Sequence, residues 1–297
     1  RNLVASPLYA SSVVGAAALM HSGSEDHKQA LLPKIADGGR LVVLALEEGP
    51  RHNPSQIKCR AKLTSSGVTL SGTKQFVMEG NAATDFVVAA NVDHGAGEQG
   101  VGLFLVACDT PGVRRHAVKT MDSRGYASVT FDGVTLDVDA MLAGPDTGKA
   151  VLEAVLAVAT AALAAEMLGT AAAAFDMTLD YLKTRKQFGQ VIGGFQALGH
   201  RAAGLYAEME LTRSCVEAAL TALDQGSQDA QELVALAKCK ASEFLHEMSS
   251  QLIQIHGGIG MTDEFDAGFY LKRARVLENA LGNAAYHRDR YAKLLDF

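Results

Sequence analysis

From Thr147 to Phe297 the sequence contains no proline, and long amphipathic runs follow one another to its end. Proline removes a backbone donor and clashes with the preceding helical turn. A stretch this long without one, patterned near a 3.6-residue period, is free to form consecutive long helices. The predicted architecture of this half is a helical bundle. Upstream the texture changes. Between about Leu41 and Leu142 the chain falls into short runs, LVVLAL, GVTLSGTKQFV, DFVVAANV, GLFLVAC and SVTFDGVTLDV, separated by Gly, Asn and Asp. That spacing predicts a small barrel or sandwich of strands. From Pro7 to about Gly39 the pattern is helical again, with Ser24 three residues before His27 and Glu25 and Asp26 in a first turn, the signature of a capped N-terminus. Helix, then sheet, then bundle gives an α+β chain of separate layers without alternating βαβ units. The expected boundaries are a helical segment over residues 1–38, a β-domain over 39–145 and a bundle over 146–297.

Composition narrows the function. The chain has 297 residues, 48% of them hydrophobic and 20% charged, enough apolar material for a sizeable core and too much for a disordered chain. The longest apolar run, Val151–Leu168, is rich in alanine and carries Glu153 and Glu166, which suits a buried bundle helix better than a membrane span. The expectation is therefore no membrane insertion. A net charge of −6 argues against a nucleic-acid partner, which would require a broad basic surface. Cys59, Cys108, Cys215 and Cys239 lie far apart and form no CxxC pair, so no metal site is expected and a reducing cytoplasm fits them best. The chain opens at Arg1 with no visible signal peptide and reads like the middle of something longer.

The segment QIHGGIG places Gly257, Gly258 and Gly260 within four positions, behind a run with Leu236, Phe244, Leu245, Met248, Leu252 and Ile255 at helical spacing. A dinucleotide fingerprint must follow a strand and open a helix, so that reading fails. The HGG triplet resembles a lipase oxyanion loop, yet no GxSxG nucleophile elbow occurs. His246-Glu247 lacks the second histidine of a zinc helix. Two roles stay open for the glycines: capping a helix with a residue that tolerates positive φ, or letting a ligand approach bare backbone.

Two further segments, TRKQFGQVIGGFQALGH (residues 184–200) and GMTDEFDAGFYLKRARVLENALGNAAYHRDRYA (residues 260–292), join QIHGGIG in a set of ordered motifs. Together they resemble the acyl-CoA dehydrogenase family, and the resemblance runs over essentially the whole chain. It implies an N-terminal helical domain, a middle β-domain and a C-terminal four-helix bundle, with FAD bound between bundle and β-domain and across a subunit interface. It also implies that Arg1–Asp37 is the end of the helical domain, whose opening part is absent. By resemblance, Arg185, Gln187 and Phe188 reach from one subunit to the FAD pyrophosphate and adenosine of its neighbour. Phe195 and Gln196 belong to the same motif, Gln254, Gly257 and Gly258 meet the adenosine half, and Phe76 and Asn283 complete the cofactor set. The residue types agree, since a pyrophosphate joined to a flat flavin needs a fixed cation, close backbone donors and an aromatic wall. For Arg185 and Lys186 a solvated helix end is the alternative, because cations favour the last turn.

Departures from the family pattern are equally specific. In LALEEG (residues 44–49) and KQFVMEG (residues 74–80), Leu46 and Met78 stand where the family usually has threonines and Phe76 where it has tryptophan. Phe76 still stacks on a flavin, but two hydroxyl donors are gone. Arg51, His52 and Asn53 replace a Gly-Ser-Asp segment that touches flavin and substrate, and an ordinary polar turn fits them equally well. The family's chemistry is α,β-dehydrogenation of an acyl-CoA thioester, in which a carboxylate removes the α-proton. Its two known positions for that glutamate fall here on Leu281 and Ala159, neither of which accepts a proton. Three readings follow. In the first, a partner chain in a heteromer supplies the carboxylate. In the second, Glu166, Asp263 or Glu264 acts in a homo-oligomer. In the third, the chain is a non-catalytic scaffold or an oxidase-like flavoprotein. The implied partners are an acyl-CoA, an electron-transfer acceptor and other subunits of a homo- or hetero-oligomer, a dimer or tetramer, in fatty acid metabolism.

Overall fold

The computed structural model describes residues 3–64, 67–93 and 99–297. Arg1 and Asn2, the first residues of the expected helical segment, lie outside the described residues. The chain divides into two compact units, one built on Ala5–Ala159 and one on Thr160–Phe297.

The first unit opens with a π-helical segment Leu8–Gly15, then α1 (Ala16–Ser22) and α2 (Glu25–Ala36). At the start of α2 the Ser24 hydroxyl accepts the His27 N–H at 3.3 Å, with Glu25 and Asp26 in the first turn, as the sequence predicts. Eight strands follow: β1 (Val42–Ala45), β2 (Arg60–Thr64), β3 (Gly67–Val77), β4 (Asp85–Asp93), β5 (Gln99–Ala107), β6 (Val113–Ala117), β7 (Ala127–Leu136) and β8 (Met141–Ala143). They form one hydrogen-bonded sheet in the order β6-β7-β3-β2-β4-β5-β8. The sheet forks at β4, which pairs in parallel with β1 along 85–88 and with β2 along 91–93. Buried on both faces from Asp85 to Ala90, β4 reads in sequence as a continuous apolar run rather than an alternation. Around it Phe86 meets Phe131 edge to face, ring centroids 6.1 Å apart.

Two charged side chains are buried among the described residues of this unit: Asp85, which pairs with Arg40 at 3.2 Å, and Lys74. The Lys74 side chain is fully enclosed, and its ammonium donates to Glu48 Oε1 at 2.5 Å and to the Leu46 carbonyl at 3.1 Å. Glu48 in turn accepts the backbone N–H groups of Lys58 at 2.6 Å and Cys59 at 2.9 Å. The enclosed ammonium thereby has two acceptors, and the Glu48 carboxylate three donors. Burial pushes the adjacent Cys59 thiol up to about 11, against the pull of Lys74.

The second unit is helical. The division between units falls inside α3 (Gly148–Thr184), so the N-terminal helices and the sheet share one unit with its first turns. A hairpin of β9 (Lys186–Gln187) and β10 (Gln190–Val191) follows, then α4 (Gln196–Gln225), α5 (Ala230–His256), a 3₁₀ segment Gly257–Met261, α6 (Ala267–Leu277) and α7 (Ala284–Leu294). α3 is long and apolar enough to cross a membrane by composition, and 56% of its most apolar window is buried within the fold. Its core face beyond Ala159 is built from small and flexible side chains, Leu163, Ala164, Met167, Ala171 and Ala174, which permit close helix packing.

Replacing Glu48 by alanine would strand the Lys74 ammonium and two backbone donors. The Glu48→Ala variant is expected to lose about 3–5 kcal/mol of stability, read by denaturant unfolding; a loss below about 1 kcal/mol would mean that the pair is solvated in the protein.

Candidate functional site

The site residues of the second unit gather at the junction of α3 and α5. α3 ends at Thr184, whose hydroxyl donates back to the Asp180 carbonyl at 2.7 Å. The chain then turns over in the hairpin, with Gln190 opposite Gln187 and Val191 opposite Lys186. The two residues between them, Phe188 and Gly189, have φ of +55° and +80°. A two-residue turn of this kind requires positive φ at both positions. Glycine adopts it freely, whereas phenylalanine does so at a cost of about 1–2 kcal/mol. The Phe188 ring, at this strained apex, is 83% exposed and meets Phe195 edge-on at 6.1 Å. Arg185, Gln187 and Gln196 are exposed around it, and among the described residues no carboxylate lies against the Arg185 guanidinium.

The three glycines of QIHGGIG do three different things. Gly257 has φ +61° and ends α5, its N–H donating to the carbonyls of Ile253 and Gln254, so capping accounts for it. A Cβ on Gly260 would fall 2.9 Å from the Ile253 carbonyl oxygen and 3.0 Å from His256 Cβ, so packing accounts for that one. Gly258 has neither reason: its φ is not positive, and a Cβ there would meet nothing within 4 Å. Together Gly257 and Gly258 leave a stretch of open backbone beside the exposed Gln254.

His256 ties this stretch to the hairpin. Its ring is buried between Tyr181 and Phe265, with centroids 4.2 and 4.5 Å away. Its Nδ1–H donates to the Leu252 carbonyl at 2.7 Å, while the Tyr181 hydroxyl donates to the His256 carbonyl at 3.3 Å. Tyr181 lies one turn before Arg185, so the stack holds the ends of α3 and α5 side by side and brings Arg185 and the hairpin to the glycine stretch. Burial lowers the His256 imidazole below its usual range, against the effect of the Leu252 bond. Its Nε2 is buried with no partner, which the neutral ring tolerates better than the cation.

The remaining expected residues are dispersed. Asn283 is exposed, and its side-chain oxygen caps α7 by accepting the Tyr286 N–H at 3.0 Å. Phe76 belongs to the first unit, at φ +50° and 43% exposed on β3. In the same unit His52 is held by its Nδ1 against Glu47 at 2.5 Å, and Asn53 accepts from Ser55 at 2.8 Å. Ala159 is fully buried, and its carbonyl accepts the Tyr9 hydroxyl at 2.8 Å. Leu281 sits at φ +53° in the loop between α6 and α7. Of the substitute acids, Glu166 is occupied by Arg273, which donates to the same carboxylate oxygen through Nε at 3.0 Å and an NH2 group at 2.6 Å. Asp263 and Glu264 lie exposed in a turn before α6.

Residues 146–295 match the family model described as "Acyl-CoA dehydrogenase, C-terminal domain". The chain belongs to the acyl-CoA dehydrogenase family. It is 31% identical over 259 residues to the short/branched chain specific acyl-CoA dehydrogenase, mitochondrial, of Bos taurus, covering 86% of this chain. It spans 66% and 59% of the length of two of the mitochondrial relatives it matches. Among solved structures it is similar to the ChsE4-ChsE5 complex from Mycobacterium tuberculosis, with a TM-score of 0.89 and 28% identity over 99% of this chain and 77% of that chain. It is also similar to the Tcur3481-Tcur3483 steroid ACAD G363A variant, with a TM-score of 0.86 and 32% identity over 98% of this chain and 76% of that chain.

Sequence reasoning missed Tyr181 and Phe265, both half-buried, which hold the site by stacking on His256. It also missed the stacking role of His256. A histidine directly behind the apolar positions Leu252 and Ile255 was the available signal. The linkage for His256 is directional. An unfolded chain takes up a proton near the ordinary histidine value of 6.5, and the folded chain resists until lower pH. Stability from the neutral ring is therefore complete above that value and lost as pH falls through the lowered one. His256→Phe, which keeps the stack and cannot titrate, should flatten the fall in Tm between pH 6.5 and 5; an unchanged acid slope would place the loss on other groups.

Proposed function

We propose that this chain is the base-lacking subunit of a heteromeric acyl-CoA dehydrogenase, contributing half of an FAD site while a partner chain contributes the carboxylate that removes the α-proton. The observation that carries this reading is a contrast within one unit. The hairpin of Arg185 and Phe188 and the open backbone at Gly257 and Gly258 are kept, while Leu281 holds a side chain that cannot accept a proton. Ala159, the other base position, is equally inert. The two paired-chain structures above, whose names join two different proteins, support a heteromer.

FAD fits the residues present, given an unpaired cation, an exposed aromatic ring and bare backbone held together by the His256 stack. When bound, FAD supplies the acceptor for the hydride that leaves the β-carbon of an acyl-CoA. The Arg185 guanidinium binds the pyrophosphate through charge-assisted hydrogen bonds. Phe188, raised at the hairpin apex and braced by Phe195, gives the adenosine half an apolar edge, with Gln187 and Gln196 as polar contacts. Gln254, Gly257 and Gly258 admit the same half against bare backbone, and Asn283 borders it. All of these are offered to the cofactor of the neighbouring subunit, which makes oligomerisation part of the site.

In the first unit Phe76 presents its ring to a flavin, but Leu46 and Met78 bring no hydroxyl to its polar edge. Acyl-CoA is the substrate class and an electron-transfer acceptor the onward partner. An atypical base in a homo-oligomer is the weaker reading, because Glu166 is held by Arg273 and the acids at 263 and 264 are in water, where a carboxylate is a poor base for a thioester α-proton.

Purified alone, the chain is expected to turn over acyl-CoA thioesters very slowly or not at all, and co-expression with a base-bearing paralogue should restore a rate higher by several powers of ten. Robust flavin reduction by the isolated wild-type chain would overturn the reading. Within the assembly, Arg185→Ala should weaken flavin retention by about 1.5–3 kcal/mol, measured as the free-flavin concentration that half-saturates the apoprotein. Retention equal to the parent would make Arg185 a surface cation only.

A further inference from the structure

The loop between α6 and α7, residues 278–283, carries the inert Leu281, yet it is held more thoroughly than a loop without a task requires. Lys238 stands in α5 with its side chain fully buried, and its ammonium points into the underside of this loop. It donates to the Gly282 carbonyl at 2.8 Å and lies 3.4 Å from the carbonyl oxygens of both Leu277 and Glu278, with Ser242 Oγ at 3.1 Å. From α7, the buried His287 donates its Nε2–H to the Leu281 carbonyl at 2.8 Å. Leu281 and Gly282 both have positive φ, +53° and +95°, and a Cβ on Gly282 would fall 2.4 Å from the Tyr286 ring. A leucine in the left-handed region costs about 1–2 kcal/mol, and it persists where surrounding bonds over-determine it.

We propose that Lys238, assisted by His287, is a positioning residue that fixes the backbone of Leu281 and Gly282, so that the side chain at 281 is presented in one direction whatever its chemistry. An ammonium buried without a carboxylate partner is costly, and burial pushes Lys238 down to about 7, against the charge of Glu278. The Glu278 carboxylate itself faces outward to His246 at 2.9 Å and Arg275 at 3.2 Å. What the cost secures is the set of main-chain carbonyls at the end of α6 and across the loop, which have no helical partners of their own. The mounting of the loop is thus independent of the side chain at 281. The catalytic part of this inference rests on the reading of residue 281 as the family's base position. The mechanical part does not.

Hydrogen exchange on the native assembly tests the mechanical part. In the wild-type protein, amides of a peptide spanning 278–284 should exchange at least about tenfold more slowly than those of the turn at 226–229; equal rates would overturn the clamp. Lys238→Met, close in shape but without donors, should speed exchange in 278–284 by about tenfold while residues 254–260 stay unchanged. Uniformly faster exchange throughout the bundle would reduce Lys238 to a general stabiliser and overturn the proposal. If that variant does not fold, the wild-type comparison still decides. Leu281→Glu then tests the catalytic part. With flavin bound it should gain acyl-CoA oxidation, and adding Lys238→Met should lower kcat at least about tenfold with KM little changed. Leu281→Glu that holds flavin but shows no turnover would remove the reading of 281 as a base position, leaving the exchange result to stand on its own.

Discussion

Helix ends inside a bundle leave carbonyl groups that no helix can satisfy, and the second unit depends on how it meets them. It does so with side chains that are buried or stacked. Lys238 takes the carbonyls at the end of α6, His287 takes Leu281 in the loop that follows, and Tyr181 takes His256 at the end of α5, while His256 bonds back to Leu252 within its own helix. Each donor is stacked or enclosed, so each bond is made where losing it would strand a polar group away from solvent. These points coincide with the hairpin, the glycine stretch and the loop of Leu281. Local rigidity and the candidate chemistry have the same cause.

The same economy appears in the first unit. The loop after β1 closes around a single carboxylate, Glu48, which accepts from Lys74 and from two backbone N–H groups. In the same loop Leu46 is buried and His52 is held against Glu47, so its positions are fixed by packing and pairing around the enclosed Lys74.

How much of this was legible in the sequence depends on the physical scale of each feature. The bundle and the strands were readable because periodicity and proline usage report backbone geometry over many residues. The Ser24 cap was readable because its hydrogen bond spans three residues. The division inside α3 was not, since an alanine-rich helix has the same pattern on both sides of Ala159. Nor were the roles of the three glycines: positive φ at Gly257, close packing at Gly260 and open space at Gly258 look identical as letters. Phe188 hid in the same way, because a left-handed phenylalanine is dictated by the hairpin register and not by its own preference. Lys238 was readable in principle. It falls on the face of Val234, Ala241 and Leu245, where a lysine has to be buried, and its partners lie some forty positions away along the chain.

The loop of Leu281 separates what the fold requires from what the chemistry requires. Its carbonyls and left-handed turns are fixed by Lys238, His287 and Gly282, and none of these contacts involves the side chain at 281. Exchanging a carboxylate for leucine there leaves every backbone bond in place, and it removes the desolvation cost of a charge. Removing Lys238 would do the opposite, orphaning three carbonyls under an otherwise unchanged surface. A chain paired with a base-bearing partner is free to lose the first group and is held to keep the second. The coexistence of an inert tip and an intact mounting is what such a division of labour between two subunits would leave behind.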